Sequence, residues 1–139
     1  MFLLDTNIVS ELRRPRPDKN VLAWLAAVPQ ESICISAVTL GELQAGVELL
    51  RQRDANKAGA IEAWMDAVAD SHDVLPMDGE AFRVYARLMH RRPRELFEDA
   101  MIAATAIVHK LTVASRNLRD FERLGVPVVD PFRDAAGRR

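Results

Sequence analysis

Apolar residues in this chain come in two rhythms. Short apolar runs occupy positions 2–4, 32–35, 74–76, 111–114 and 126–129. Each is too short for a helix and is bounded by polar or turn residues, which predicts a short buried strand. Between the runs the spacing becomes helical. Residues 8–13 predict a short helix stopped by Pro15 and Pro17. Asp18 can cap a second helix carrying Val21, Leu22, Leu25 and Val28, ended by Pro29. Ser36 can cap a long helix over 37–51 with Leu40, Leu43, Val47 and Leu50 on one face. Another covers 55–69 with Ile61, Trp64, Met65 and Val68 turned inward, and Asp78 starts one that reaches Met89. Residues 99–108 are small and apolar on every side, which suits a helix buried between layers. Strands alternating with helices imply an α/β sandwich around a mainly parallel sheet.

Length and composition point to one domain. The chain has 139 residues, enough for a sizeable core, and shows no repeat, low-complexity tract or linker. Residues 1–132 are expected to form that domain and 133–139 a flexible tail. Hydrophobic residues make up 49% and charged residues 28%, an ordinary globular balance. A net charge of -1 removes any global basic field, although a basic rim around an acidic, metal-filled site would also sum to nearly zero. The single cysteine, Cys34, cannot form an internal disulfide and reads as a small buried hydrophobe in a reducing compartment. No basic segment leads into an apolar run at the start, and no apolar run approaches the roughly 20 residues that span a bilayer. The expectation is a cytoplasmic protein with no membrane segment.

Polar residues at strand ends and helix starts carry the candidate chemistry. Asp5 follows the first run, Asn117 and Asp120 follow the run 111–114, Asp99 opens the apolar helix and Glu42 lies about two turns into the helix after Ser36. Ligands of open parallel sheets bind outside the carboxyl ends of the strands, so adjacency of the first and fourth strands would gather these groups. Each also has a plainer reading: Asp5 as a helix cap, Glu42 as a solvated position, Asp99 as a helix-start charge shared with Glu98, and Asp120 as a turn residue. Glu11, Glu48, Glu62, Asp66 and Asp70 read as solvated, and His72, His90 and His109 are scattered. Several carboxylates in one crevice protonate or take a cation. Without a Cys/His set of zinc spacing, oxygen ligation points to Mg2+ or Mn2+, the usual apparatus of phosphodiester hydrolysis. A phosphatase using Asp5 as nucleophile is disfavoured because Asn7 stands where its second Asp would be.

Four segments carry a family resemblance. Phe2-Leu-Leu-Asp-Thr-Asn-Ile-Val-Ser-Glu-Leu-Arg13, Ser36-Ala-Val-Thr-Leu-Gly-Glu-Leu43, Glu98-Asp-Ala-Met-Ile-Ala-Ala-Thr-Ala106 and Thr112-Val-Ala-Ser-Arg-Asn-Leu-Arg-Asp-Phe121 resemble, in order and spacing, the motifs of the PIN-domain family. The nearest subgroup is the bacterial VapC toxins, in their FitB-like branch. The resemblance implies a three-layer α/β/α sandwich and a Mg2+- or Mn2+-dependent endoribonuclease leaving 5′-phosphate and 3′-hydroxyl ends. Asp5 and Asp99 would be the principal metal ligands, Glu42 would complete the cluster, and Asp120 would be a further catalytic acid. The chain departs from the family at Asn117, often an acid, at Ser115, usually Thr, and at Glu98, commonly small or apolar.

An RNA substrate needs cations for its backbone. Arg13, Arg14 and Arg16, then Arg91, Arg92 and Arg94, then Arg116 and Arg119 adjoin the motifs. Thr6, Arg92, Arg94, Ser115, Arg116 and Asn117 are the RNA-contact candidates. With few aromatics, recognition is expected to rest on backbone and shape more than on stacked bases. The resemblance further implies a VapB-like antitoxin, a homodimer and a toxin–antitoxin hetero-oligomer. The helices 37–51 and 55–69 are candidates to form the antitoxin groove. The alternative is a catalytically weak module whose acidic crevice captures a basic antitoxin peptide in a DNA-bound repressor.

Overall fold

In the computed structural model, which describes residues 1–133, the five apolar runs form one sheet. The strands are β1 (Phe2–Leu4), β2 (Ile33–Ser36), β3 (Asp73–Leu75), β4 (Thr112–Ala114) and β5 (Val128–Val129). Every pairing is parallel, in the order β3-β2-β1-β4-β5. The connecting helices are α1 (Thr6–Leu12), α2 (Lys19–Ala27), α3 (Ala37–Arg51), α4 (Ala55–Ser71), α5 (Gly79–Met89), α6 (Phe97–His109) and α7 (Leu118–Arg123).

The register sorts the strand residues between two layers. Leu3 lies opposite Cys34 and Val113, and all three pack with Ala100, Ala103 and Phe121 of α6 and α7. Leu4 lies opposite Ile35 and Ala114, which pack with Ile8, Val9, Val21 and Trp24 of α1 and α2. A sheet covered on both faces must be apolar on both, which explains the continuous runs. Helix α6 meets the sheet through Ala100, Ala103 and Ala106, each fully buried, and such short side chains let the helix axis approach closely. The three-layer α/β/α arrangement is therefore present, with an entirely parallel sheet.

Several boundaries differ from the sequence reading for local reasons. Helix α1 starts at Thr6, because Asp5 accepts the Thr6 N–H and caps it. Helix α6 starts at Phe97, after a single 3-10 turn, so Asp99 sits inside its first turn. Helix α7 has no counterpart in the hydrophobic pattern; its six residues are mostly charged, and Phe121 is the one that is fully buried. Gly125 follows its C-cap Leu124, and a φ of 77° there suits the turn into β5 and is one that side chains rarely adopt. Strand β5 spans Val128–Val129 only, with Val126 buried ahead of it. Glu11 was expected in solvent but is 7% exposed. The Pro15–Pro17 turn folds back over it, and its carboxylate accepts the Asp18 N–H at 2.8 Å and contacts Arg14 at 3.4 Å. Apart from Arg133, the expected tail lies outside the described residues.

The chain lays down β1, β2 and β3 in one direction, then returns to the other side of β1 for β4 and β5. The strand order reverses between β1 and β4, and a crevice opens there beyond their carboxyl ends. Phe121 is fully buried beneath that edge. Phe121→Ala should lower the unfolding free energy by about 3–5 kcal/mol in urea titration; a loss below about 1 kcal/mol would mean that α7 does not anchor the sheet.

Candidate active site

Asp5 and Ser115 leave the sheet side by side. The Asp5 N–H donates to Ala114 O at 2.9 Å, extending the β1–β4 ladder by one step. The Ser115 hydroxyl then donates to Asp5 Oδ2 at 2.7 Å. Asn7 Nδ2 donates to the same oxygen at 3.2 Å and the Thr6 N–H to Oδ1 at 2.8 Å. Asp5 is only 5% exposed, and burial pushes its pKa up despite these donors.

The network continues through Asn117. Its N–H donates to Ser115 Oγ at 2.9 Å, and its side-chain amide donates to Asp99 Oδ2 at 2.7 Å and Asp120 Oδ2 at 2.9 Å. An amide at position 117 thus joins two acids that would otherwise repel. The Asp99 pKa is raised to about 6 by burial and by the Asp5 and Asp120 carboxylates.

Glu42 closes the crevice from α3. Its Oε1 accepts from Thr6 Oγ1 at 2.8 Å, and Thr6 also meets Thr39 at 3.0 Å. The Glu98 carboxyl approaches it from α6. Burial and Glu98 together raise the Glu42 pKa to about 8.

These groups surround a cavity of about 630 Å³ lined by Asp5, Asn7, Glu42, Asp99 and Asn117, with Ser10, Arg13 and Arg14 at its side. Among the expected RNA contacts, Thr6, Ser115 and Asn117 belong to this cluster. Arg116 adjoins it, its N–H donating to Asn7 Oδ1 at 3.3 Å. Arg92 and Arg94 do not join it. The Arg92 guanidinium bonds the Leu88 and Arg123 carbonyls, and Arg94 lines a separate cavity with Tyr85, Met89 and Phe97. Asp120 is tied to the site by its hydrogen bond from Asn117 and by its charge beside Asp99, and it also contacts Arg123 at 3.6 Å.

The sequence reading missed the linking roles of Asn7 and Thr39. Each had a signal: Asn7 lies two positions after Asp5, and Thr39 is one helical turn before Glu42 on the same face. Glu98 stood out only as a departure from the family pattern; nothing local signalled its approach to Glu42, which joins α3 to α6.

The donor set is all oxygen and its acids raise one another's pKa, the situation a hard divalent cation relieves. Among the described residues, no group of three or more Asp, Glu, His or Cys side chains is gathered tightly enough to hold an ion as it stands. The acids would have to close on the ion.

A parallel sheet with carboxylates converging at its switch point defines an α/β protein with an acidic crevice. The chain belongs to the PIN-domain family, whose model matches residues 2–127. It is 35% identical to a VapC ribonuclease of Sinorhizobium fredii, over 97% of this chain and 100% of that one. It is likewise 35% identical to toxin FitB of Neisseria gonorrhoeae, over 96% and 100%. The crystal structure of FitAcB from that organism superimposes with a TM-score of 0.85 at 34% identity, over 96% of this chain and 99% of the other. FitAB bound to a DNA fragment matches with a TM-score of 0.84 at 33% identity, over 96% of each chain.

The raised pKa values set a pH dependence. Between the ordinary values of 3.8 and 4.5 and the folded values of about 6 and about 8, the folded protein holds protons that the unfolded chain has released. These two acids therefore contribute stability that is complete at low pH and declines as pH rises through the folded values. Metal-free protein should lose melting temperature from pH 5 to pH 8, and Glu42→Gln should lose distinctly less. Parallel curves for the two proteins would show that Glu42 carries no raised pKa.

Proposed function

We propose that this protein is a Mg2+- or Mn2+-dependent endoribonuclease, the toxin of a toxin–antitoxin pair, which hydrolyses RNA to 5′-phosphate and 3′-hydroxyl ends. The continuous chain of hydrogen bonds from Asp5 through Ser115 and Asn117 to Asp99 carries this reading. It fixes two carboxylates from different strands and helices at one crevice. When bound there, the metal would polarise the scissile phosphate and activate water.

The residues of the chain do the rest. Asp5 and Asp99 are the principal ligands, and Glu42 completes the cluster directly or through water. Ser115 and Asn117 hold Asp5 and Asp99 in orientation, the part that outer partners of a metal site play. Asp120 is the fourth acid, tethered on the amide of Asn117. Arg13 and Arg14, beside the cavity, neutralise the phosphates that flank the cut. The Glu11 clamp and the two prolines restrict the loop that bears them.

Partners follow from the same surface and from the relatives. FitAB and the VapBC of Salmonella typhimurium, the latter 27% identical with a TM-score of 0.74 over 94% of this chain, are solved as complexes on DNA. A VapB-like antitoxin, assembling with a toxin homodimer, fits a second groove beside the acidic crevice. That groove, of about 490 Å³, has Leu43, Val47, Leu50 and Ile61 from α3 and α4 on its floor and Arg53 and Lys57 at its rim. It shares Thr6, Arg13 and Glu42 with the crevice, so an amphipathic segment lying in it would end over the acids.

Wild-type protein should cut RNA in Mg2+ or Mn2+, and Asp5→Asn should abolish the cleavage; wild-type rates in that variant would sink the assignment. Ser115→Ala should retain the fold and lose about 10–100-fold in rate or metal affinity. Mn2+ should raise the melting temperature of the wild type and leave the Asp5→Asn/Asp99→Asn double variant unmoved. An equal rise in both proteins would place the ion elsewhere.

A further inference from the structure

Arg116 has a feature that the acid network does not use. Its guanidinium sits over the Phe132 ring, with Cζ 3.7 Å from the ring centroid. Arg116 is exposed and makes no ion pair among the described residues. The ring beneath it is fixed. The Phe132 N–H donates to Asp130 Oδ1 at 2.9 Å, its carbonyl accepts from Asn20 Nδ2 at 2.9 Å, and its side chain packs against the core cluster of Leu4 and Ile8. The Arg116 backbone is held by Asn7, and its sequence neighbour Asn117 lines the acidic cavity.

A guanidinium seated on an aromatic ring has one face covered and the other turned to solvent. That outer face is planar and weakly hydrated, so covering it costs little. Phosphate binding needs only positive charge and in-plane donors. Unpaired RNA bases, in contrast, are taken up on aromatic rings and on arginine planes. A pre-stacked arginine beside a phosphodiester-cleaving site has the geometry for a base.

We propose that the Arg116–Phe132 stack is a nucleobase subsite, on which an unpaired base next to the scissile phosphate lies against the outer face of the guanidinium. The inference rests on the ribonuclease reading. It gives the protein a base-dependent contact beyond the backbone recognition that its few aromatics suggested. Phe132 acts as a positioning residue, and Arg116 makes the contact.

The probes are unstructured, fluorescently labelled 12-nucleotide RNAs in which one abasic site is walked along the chain. Binding is read by anisotropy, and cleavage is followed separately in Mn2+. For the wild type, removing one base beside the cut should weaken binding and kcat/KM about tenfold. Arg116→Lys keeps the charge without the plane, and Phe132→Leu keeps an apolar support without the ring. Both should bind intact RNA about tenfold more weakly, and removing the base should then cost little more. Because Arg116→Lys is an exposed substitution, the test stands even if Phe132→Leu fails to fold.

Equal base-removal losses in wild type and Arg116→Lys overturn the subsite, as does a wild type insensitive to every abasic position. Base-dependent binding without cleavage would sink the ribonuclease reading and keep the subsite. Cleavage with additive losses would do the reverse, and neither binding nor cleavage would overturn both.

Discussion

The parallel pairing of β1 with β4 is the constraint on which the site depends. It is a long-range contact: Leu4 lies opposite Ala114, and the Asp5 N–H bonds the Ala114 carbonyl one step further on. That register brings the Ser115 hydroxyl to 2.7 Å from Asp5. A slip of one residue would turn Ser115 to the other face and strand Asp5 beside the core without its strongest donor. Asn117 hangs from Ser115, and Asp99 and Asp120 hang from Asn117, so the acids are ordered in series from a single strand pairing.

Charge is arranged against that scaffold at a cost to stability. Burial raises the pKa of Asp5, Asp99 and Glu42 alike; Asp5 is well supplied with donors that oppose the shift, whereas acidic neighbours push Asp99 and Glu42 further up. Perturbed acids gathered in a cleft are characteristic of functional sites. Arginines adjoin the same cavity, with Arg13 and Arg14 at its side, so a net charge of -1 conceals a strongly divided surface. The proposed chemistry uses both halves, the acids for the ion and the arginines for the phosphates. Glu11, withdrawn from solvent beneath the Pro15–Pro17 turn, connects the two by holding the arginine loop to the end of α1.

Much of this was legible along the chain. Helix α3 runs over the residues that its apolar face and Ser36 cap predicted, and α2 and α5 start after the Asp caps read for them. Short apolar runs marked all five strands because both faces of a parallel sheet are buried. Asp5, Glu42 and Asp99 stood out because each is a polar residue at a strand end or early in a helix. Helix α7 escaped notice because it buries one aromatic and carries no periodic stripe.

Local pattern thus determined the elements, their caps and the residue types available for chemistry, since propensity, capping and burial periodicity act over a few neighbouring residues. Which polar groups meet was decided only by the tertiary structure. Glu98 finds Glu42 across two helices, Arg92 turns to the Leu88 and Arg123 carbonyls, and Arg116 settles on a ring sixteen positions later. Those choices depend on distances that sheet order and register set between residues far apart in sequence, and hydrophobic pattern carries no information about them.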